Sequence, residues 1–377
     1  MNKKTFGFRG LQKASNMVKR MDAKLSYRRL AYQYDYTPQD VKARIKRIGG
    51  GYQGSDAEFR DTVVKYWSRY GVKPPRAWYA LYCNGKDAYD PRFIPDPIWF
   101  ERVLPYFNRK PVAGAYADKG IYSFLLRDVK KPDTIVKNMG GYYYDGDGDN
   151  LISREEAERI CRGEEHLICK PSMGTKGAGI LFYDRDDENS RSITAIFDAM
   201  KSNFVVQRIV KQHPDLARLN PSTLNTVRVI SFHFKGEVHI LSAQLRIGGA
   251  GARVDNVSAG GCACAIKPDG WLQGQSVNRQ STWTDETPGG IKLNTIRIPN
   301  YEGVIETIKR LHVKLPYFNI VGWDFAVDQD GEPVFVEFNT RPGQNQIGGR
   351  EPTFGDMTDE VLEDVFIKKT LKDAFKR

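Results

Sequence analysis

No stretch of the 377 residues approaches the apolar length a membrane-spanning helix needs. No apolar core follows Met1-Asn2-Lys3-Lys4, so no secretory signal is expected. Cysteine is scarce: Cys83, Cys161, Cys169, Cys262 and Cys264 contain no Cys-x-x-Cys pair. That excludes the usual zinc and disulfide scaffolds and leaves small buried hydrophobes, in keeping with a reducing cytoplasm. Internal repeats and low-complexity segments are also missing. What remains is ordinary for a globular protein, 40% hydrophobic and 27% charged, and long enough for two or three packed lobes.

The net charge of +11 is unevenly spread. Residues 1–50 hold thirteen Lys or Arg against three Asp, so nearly all of it lies there. Leu11, Ala14, Val18 and Met21–Leu25 recur at helical spacing within that segment. A solvated basic helix against the body is the plain reading; contact with an anionic surface or a polyanion is the sharper one.

Ser55 and Glu58 form a capping box for a helix ending near Gly71. Residues 72–115 carry little periodic signal. Helices are expected at 118–127, 153–162, 191–202 and 301–313, and strands at 166–170, 203–210 and through much of 225–340. The tail 356–375 is amphipathic, with Val361, Leu362, Val365 and Leu371 on one stripe.

The most informative segment runs from Val321 to Asn339. Asp330-Gly331 reads as a two-residue hairpin turn between hydrophobic strands. That turn sets Asp324 opposite Glu337, and Asn339 projects from the same face. Two carboxylates facing each other across a ladder repel unless a cation joins them. Mg²⁺ takes oxygen ligands, often one or two carboxylates plus substrate phosphates, and Mn²⁺ can replace it. Asp324, Glu337 and Asn339 suit such a metal. A plainer alternative is a strand whose wet face carries two unrelated acids.

Upstream, His166–Lys170 reads as a strand ending in lysine, followed by a loop with Gly174, Lys176, Gly177 and Gly179. Glycines let backbone N–H groups approach phosphate oxygens, and lysine adds a point charge. The pattern is neither Gly-Lys-Ser/Thr opening a helix nor Gly-x-Gly-x-x-Gly.

Taken in order, Asp118-Lys119, Lys170 with its Gly-rich loop, Phe204–Val210 and Asp324…Glu337-Phe-Asn339-Thr-Arg341-Pro resemble the signature of the ATP-grasp superfamily. More narrowly, Tyr66-Trp67…Tyr70-Gly71, Asn225-Thr-Val-Arg228, Leu245-Arg246-Ile-Gly and Val254-Asp255-Asn256…Gly260-Gly261 resemble the sugar-transfer-associated ATP-grasp proteins of bacterial polysaccharide loci. The resemblance implies an α+β protein, two α/β lobes sandwiching ATP, preceded by a mainly helical N-terminal region. The expected division is a basic segment (1–50), for which the resemblance does not account, a preceding region (51–115), an N-lobe (116–210) and a C-lobe with a C-terminal helix (211–377). The resemblance implies that Lys119 and Lys170 meet the ATP phosphates, that Gly174, Lys176, Gly177 and Gly179 fold over them, and that Gln207, Arg208 and Val210 hold adenine from the hinge, largely through backbone groups. Many relatives have Glu where this chain has Gln207. Arg246 and Asn256 would meet the transferred phosphate, and Arg341 a substrate carboxylate. Arg228 would join them only if its hairpin is bulged, because a two-residue turn at Lys235-Gly236 sets Arg228 and Arg246 on opposite faces.

Asp145-Gly-Asp147-Gly-Asp149-Asn150-Leu-Ile-Ser153-Arg-Glu-Glu156 has the spacing of a calcium loop, with Asn150 where glycine is usual. The run before it is strand-like, and Ser153 with Glu156 caps the next helix, which explains half the pattern without Ca²⁺. The expected activity is an ATP- and Mg²⁺-dependent ligase joining a small-molecule or saccharide-linked carboxylate to an amine through an acyl-phosphate. The alternatives are a kinase acting on a hydroxyl and a nucleotide-binding protein without turnover.

Overall fold

The computed structural model describes residues 36–371 apart from 147, 149, 175–176, 250, 253–259 and 288. The periodic stretch Leu11–Leu25 therefore lies outside the described residues. Among the described residues, no helix is long and apolar enough to cross a membrane. The chain divides into two units, residues 1–106 with 354–377 and residues 107–353. The tail expected to close the second lobe is thus grouped with the N-terminal region.

The first unit is helical. Thr37 caps the helix Pro38–Arg47 by a reciprocal bond with Asp40. Ser55 caps the next, which runs through Asp56–Phe59, a π-wound turn at Arg60–Val64 and Lys65–Ser68, with Gly71 left-handed beyond it. The aromatic segment that gave little periodic signal forms short helices, among them Arg76–Tyr82. Trp67 is fully buried there and donates from Nε1 to the Tyr79 hydroxyl (2.6 Å) and the Pro91 carbonyl (2.9 Å). The tail helix Thr358–Glu363 belongs to this unit, and Phe366 just after it meets the Trp67 ring edge-on.

The second unit holds two antiparallel sheets. The first consists of β1 (Thr134–Met139), β2 (Tyr142–Asp145), β3 (Leu151–Ile152), β4 (His166–Pro171), β5 (Leu181–Asp184) and β6 (Phe204–Arg208), in the order β3-β2-β1-β6-β4-β5. Alternation sends Val136, Leu167, Cys169, Phe204 and Val206 to one face. There they pack on α1 (Arg154–Arg162) and α2 (Ile193–Met200), which Ser153 and Ser192 cap. The opposite face carries Ile168, Lys170, Phe182 and Gln207.

The second sheet comprises β7 (Thr226–Phe234), β8 (Glu237–Ile247), β9 (Cys262–Ile266), β10 (Leu272–Asn278), β11 (Trp283–Thr284), β12 (Ile320–Val327) and β13 (Pro333–Asn339), in the order β11-β10-β9-β8-β7-β12-β13. Val227, Val229, Leu245, Trp323 and Phe325 form its inner face. Helix α3 (Tyr301–His312) covers them with Val304, Ile308 and Leu311, one helical stripe.

Two irregularities decide what the other face presents. Lys235 and Gly236 both have positive φ, so β7 and β8 join through the expected two-residue turn. The pairing then shifts between Ile230↔Ser242 and Ser231↔Ile240, an extra residue in β8. Beyond it Arg228 lies opposite Gln244 and Arg246 opposite Thr226, so both arginines share one face. The β12–β13 turn differs from the expected one. Asp328 accepts from the N–H of Asp330 (3.1 Å) and Glu332 (2.9 Å), closing a three-residue loop with Gly331 left-handed. That loop alone would offset Asp324 from Glu337. A second shift, between Asp324↔Glu337 and Phe325↔Phe335, restores the facing pair.

Under this sheet His312 is fully buried. Its Nδ1 lies 2.7 Å from Ser231 Oγ, its Nε2 3.0 Å from the Phe318 carbonyl, and Trp323 Nε1 donates to Ser231 Oγ (2.7 Å). The chain is satisfied when Nε2 carries the proton and Nδ1 accepts from the serine. Burial pushes the imidazole down to about 4 from 6.5. The unfolded chain therefore takes up a proton below about pH 6.5 that the folded protein refuses until about pH 4. His312 is expected to cost about 3 kcal/mol of stability across that window on acidification. Urea unfolding at pH 7.5 and 4.5 tests this: His312→Asn should start less stable and lose about 2.5 kcal/mol less on acidification. Equal losses in both proteins would remove the assignment.

Candidate active site

The cleft face of the second sheet gathers charge in a small volume. Asp324, in the middle of β12, is only 3% exposed, which rules out a casual acid on a wet strand. Arg228 grips it with two bonds, Nε to Oδ1 (2.5 Å) and Nη2 to Oδ2 (2.6 Å), and Arg246 adds Nη1 to Oδ2 (3.2 Å). Burial raises the carboxyl pKa, but the two guanidiniums outweigh it and hold the group below the usual carboxylate range. Glu337 stands opposite on β13 with a third of its side chain exposed. Asn339 shares the face, and its Oδ1 accepts the Arg341 N–H (2.7 Å).

Lys119 connects this face to the first sheet. Asp118 caps the turn Lys119–Ile121, and a short helix, Tyr122–Leu125, follows in place of the longer one expected. The Lys119 N–H donates to the Ser172 carbonyl (2.9 Å), fixing the residue beside the Gly-rich loop. Its ammonium lies 3.3 Å from Glu337 Oε2 and 3.3 Å from the Gly174 carbonyl. Gly177 and Gly179 take positive φ, the conformation for which glycine is suited.

On the first sheet, Lys170 donates to Gln207 Oε1 (3.2 Å), and Gln207 Nε2 donates to Thr134 Oγ1 (3.1 Å). A neutral amide is thus one partner of the lysine. Beside it opens a cleft of about 640 Å³ whose walls include Ile168, Lys170, Phe182, Ile209, Val210 and Leu224. Ile209 remains 41% exposed. An apolar slot with an ammonium on its wall suits a flat base carrying a chain of phosphates.

The structure thus brings Lys119, Glu337, Asp324, Arg228 and Arg246 into one charge cluster, with Asn339 beside them. Arg208 turns its side chain outward to Glu164 and Asp133, so any part it has in binding is left to its backbone. Lys176 and Asn256 lie outside the described residues. The loop after β2 follows a strand. Asp145 accepts from the Gly148 N–H (2.9 Å) and the Asn150 amide (2.6 Å), and Asp147 and Asp149 are outside the described residues. Ile168, Phe182 and Thr134 were not singled out from sequence. Ile168 was within reach, two residues before Lys170 on the same face, whereas Phe182 and Thr134 depend on strand pairing.

The acids fit a divalent cation by chemistry: two carboxylates and an amide oxygen, all hard donors, on one face. Among the described residues no group of three His, Cys, Asp or Glu is placed to hold a metal.

Residues 104–354 match the model of the sugar-transfer associated ATP-grasp family. The chain belongs to that family. No curated protein matches it. Among solved structures, L-amino acid ligase from Bacillus licheniformis aligns at 11% identity and a TM-score of 0.38, covering 67% of this chain and 48% of its own. D-alanyl-alanine synthetase A from Vibrio cholerae O1 biovar eltor aligns at 14% and 0.41, covering 68% and 67%. The ATP-grasp ligase PsnB, solved with a phosphomimetic variant of its minimal precursor, Mg and ADP, aligns at 15% and 0.38, covering 68% and 61%. The chain spans about half the length of the Bacillus ligase, and the family assignment rests on the sequence match. In this ATP-grasp protein the two antiparallel sheets are the two lobes expected from sequence.

Proposed function

We propose that this protein is an ATP- and Mg²⁺-dependent ligase that activates a carboxylate as an acyl-phosphate and passes it to an amine. The observation that carries the reading is the facing pair Asp324 and Glu337, with Asn339 beside them and Lys119 bridging to the Gly-rich loop. Adenine would lie in the apolar cleft against Ile168, Phe182, Ile209 and Val210. Lys170, Lys119 and the loop Gly174–Gly179 would hold its phosphates, with Lys176 reaching from the same loop. Mg²⁺ held by Asp324, Glu337 and Asn339 would offset charge on the β- and γ-phosphates. Arg246, Arg228 and Asn256 would stabilise the group in transfer. Preorganised cations of this kind are worth most where water is excluded.

Arg341 follows the metal-side strand, its backbone held by Asn339. A guanidinium there would clamp a planar carboxylate through two parallel bonds, a geometry lysine cannot copy. Aligning that carboxylate with the γ-phosphate supplies much of the rate. The acceptor class we favour is a small or saccharide-linked carboxylate used in cell-surface polysaccharide assembly in the cytoplasm, a reading that rests on the family's association with sugar transfer. Hydroxylamine tests the chemistry. A panel of carboxylates incubated with ATP, Mg²⁺ and hydroxylamine should yield a hydroxamate and free phosphate with the true acceptor, and Arg341→Lys should lower that yield while leaving ATP binding within a few-fold. A stable phosphorylated product without free phosphate or hydroxamate would instead make the protein a kinase.

A further inference from the structure

After Asn339 the chain does not leave the second sheet. It turns back over the cleft face, and residues 341–350 cross from β12 to β11. Pro342 rests on Gly322, where a Cβ would come within 2.9 Å of the proline ring. Asn345 Nδ2 donates to Ser242 Oγ on β8 (2.9 Å). Gly348 lies above Gln244 and Val277: a Cβ there would stand 3.8 Å from Gln244 Oε1 and 3.5 Å from Val277 Cγ1. Gln344 and Gln346 pin the crossing, accepting from the Thr353 hydroxyl (2.8 Å) and the Thr353 N–H (3.2 Å). Arg350 ends it with the guanidinium over the Trp283 ring (4.5 Å) and a bond to Gln275 Oε1 (3.1 Å). Its φ is 56°, left-handed backbone that a residue with a Cβ adopts at a cost. Such strain persists where surrounding contacts over-determine it, and it gathers at clamps on ligands.

The register places this strap beside the reacting centre. Trp283 pairs with Val277, Val277 with Ala263 and Ala263 with Arg246, so all four share the cleft face. At about 4.8 Å a strand, Trp283 stands roughly 14 Å from Arg246. Gln244 lies directly opposite Arg228 and two residues before Arg246, so its half-buried amide is the next group toward the strap. An acceptor that presents its carboxylate beside these arginines is stopped on the β9 side by Gln244 and Gly348. Ser242, Gln244, Val277, Asn345 and Gly348 make that wall, and none of the five carries a charge. An amide both donates and accepts, which matches a hydroxyl. A neutral wall offers an α-ammonium no counter-ion.

We propose that the strap 341–350, latched by Arg350 on Trp283, is the far wall of the acceptor site, and that Gln244 binds a hydroxyl of the acceptor. The acceptor is then a hydroxylated sugar acid and not an amino acid. This inference rests on the ligase reading above. Gln244 touches the acceptor, whereas Arg350 and Trp283 are positioning residues that act through the strap.

The probes are D-glucuronate and D-galacturonate as hydroxylated acids and L-alanine as the amino acid, each with ATP, Mg²⁺ and hydroxylamine on the full chain. One uronate should give hydroxamate at least about tenfold faster than alanine. Gln244→Leu should lower that rate at least about tenfold and leave the affinity for a non-hydrolysable ATP analogue within about twofold. Arg350→Asn removes the guanidinium with a residue that tolerates left-handed backbone. It should raise the uronate KM about tenfold, leave kcat within about twofold, and speed hydrogen exchange of the 344–349 amides. Trp283→Leu should do the same, and Trp283→Tyr, which keeps an aromatic face, should restore protection. Alanine preferred over both uronates, or a uronate rate unmoved by Gln244→Leu, would overturn the acceptor class and leave the ligase reading standing. Unchanged exchange and KM in Arg350→Asn and Trp283→Leu would overturn the latch. Hydroxamate from no acid at all would sink the ligase reading and the acceptor class with it.

Discussion

Asp324→Asn is expected to destabilise the nucleotide-free protein by about 3 kcal/mol or more, beyond any effect on turnover. The carboxylate is buried between Arg228 and Arg246, whose side chains are themselves largely covered. An amide keeps the shape and one acceptor oxygen but removes the negative charge that both guanidiniums face. Breaking a buried ion pair from one side typically costs about 3–5 kcal/mol. Denaturant unfolding checks this directly. The non-hydrolysable ATP analogue should restore part of the loss, because its phosphates give the arginines a new partner. A change below about 1 kcal/mol would mean that the observed grip on Asp324 contributes little.

Glu337→Gln is expected to do the reverse, sparing the fold and removing the chemistry. Its side chain is a third exposed and its ion-pair partner is Lys119, so its loss should change stability by less than about 1 kcal/mol. Turnover should fall at least about a hundredfold, since a metal supplies several kcal/mol of charge stabilisation in the transition state. Steady-state ADP release at fixed Mg²⁺ and ATP, together with a melting curve, separates the two effects. Activity within a few-fold of the unmodified protein would remove Glu337 from the metal set. Of two acids that face each other across one ladder, only the exposed one is thus a clean probe of the metal.

That contrast was not legible in the sequence, although the pair itself was. Alternating hydrophobics and Asp330-Gly331 placed Asp324 opposite Glu337, and the pairing is as expected. The route to it is different, because a longer loop and a compensating bulge stand where a two-residue turn was read. Bulges leave little trace in an apolar pattern, and a one-residue slip moves every later side chain to the other face. The same effect governs Arg228, which joins Arg246 on Asp324 only because of the shift between Ile230 and Ser231. Caps were readable because their bonds are local: Ser55 and Ser153 each accept from the N–H three residues on. The contact of Lys119 with Glu337 joins residues over two hundred positions apart, and no periodicity encodes it. The aromatic helices of the first unit escaped detection for a related reason: they are short, and buried on most sides, so no polar face marks their period.

Attack of a carboxylate on the γ-phosphate of ATP, as proposed, would leave an isotopic record. An acceptor acid labelled with ¹⁸O in both carboxylate positions, turned over with ATP, Mg²⁺ and its amine, reads that record in the mass of the phosphate released. One ¹⁸O atom is expected in each phosphate, carried out when the amine displaces it from the acyl-phosphate. Unlabelled phosphate, or phosphate retained on an acceptor hydroxyl, would contradict that attack.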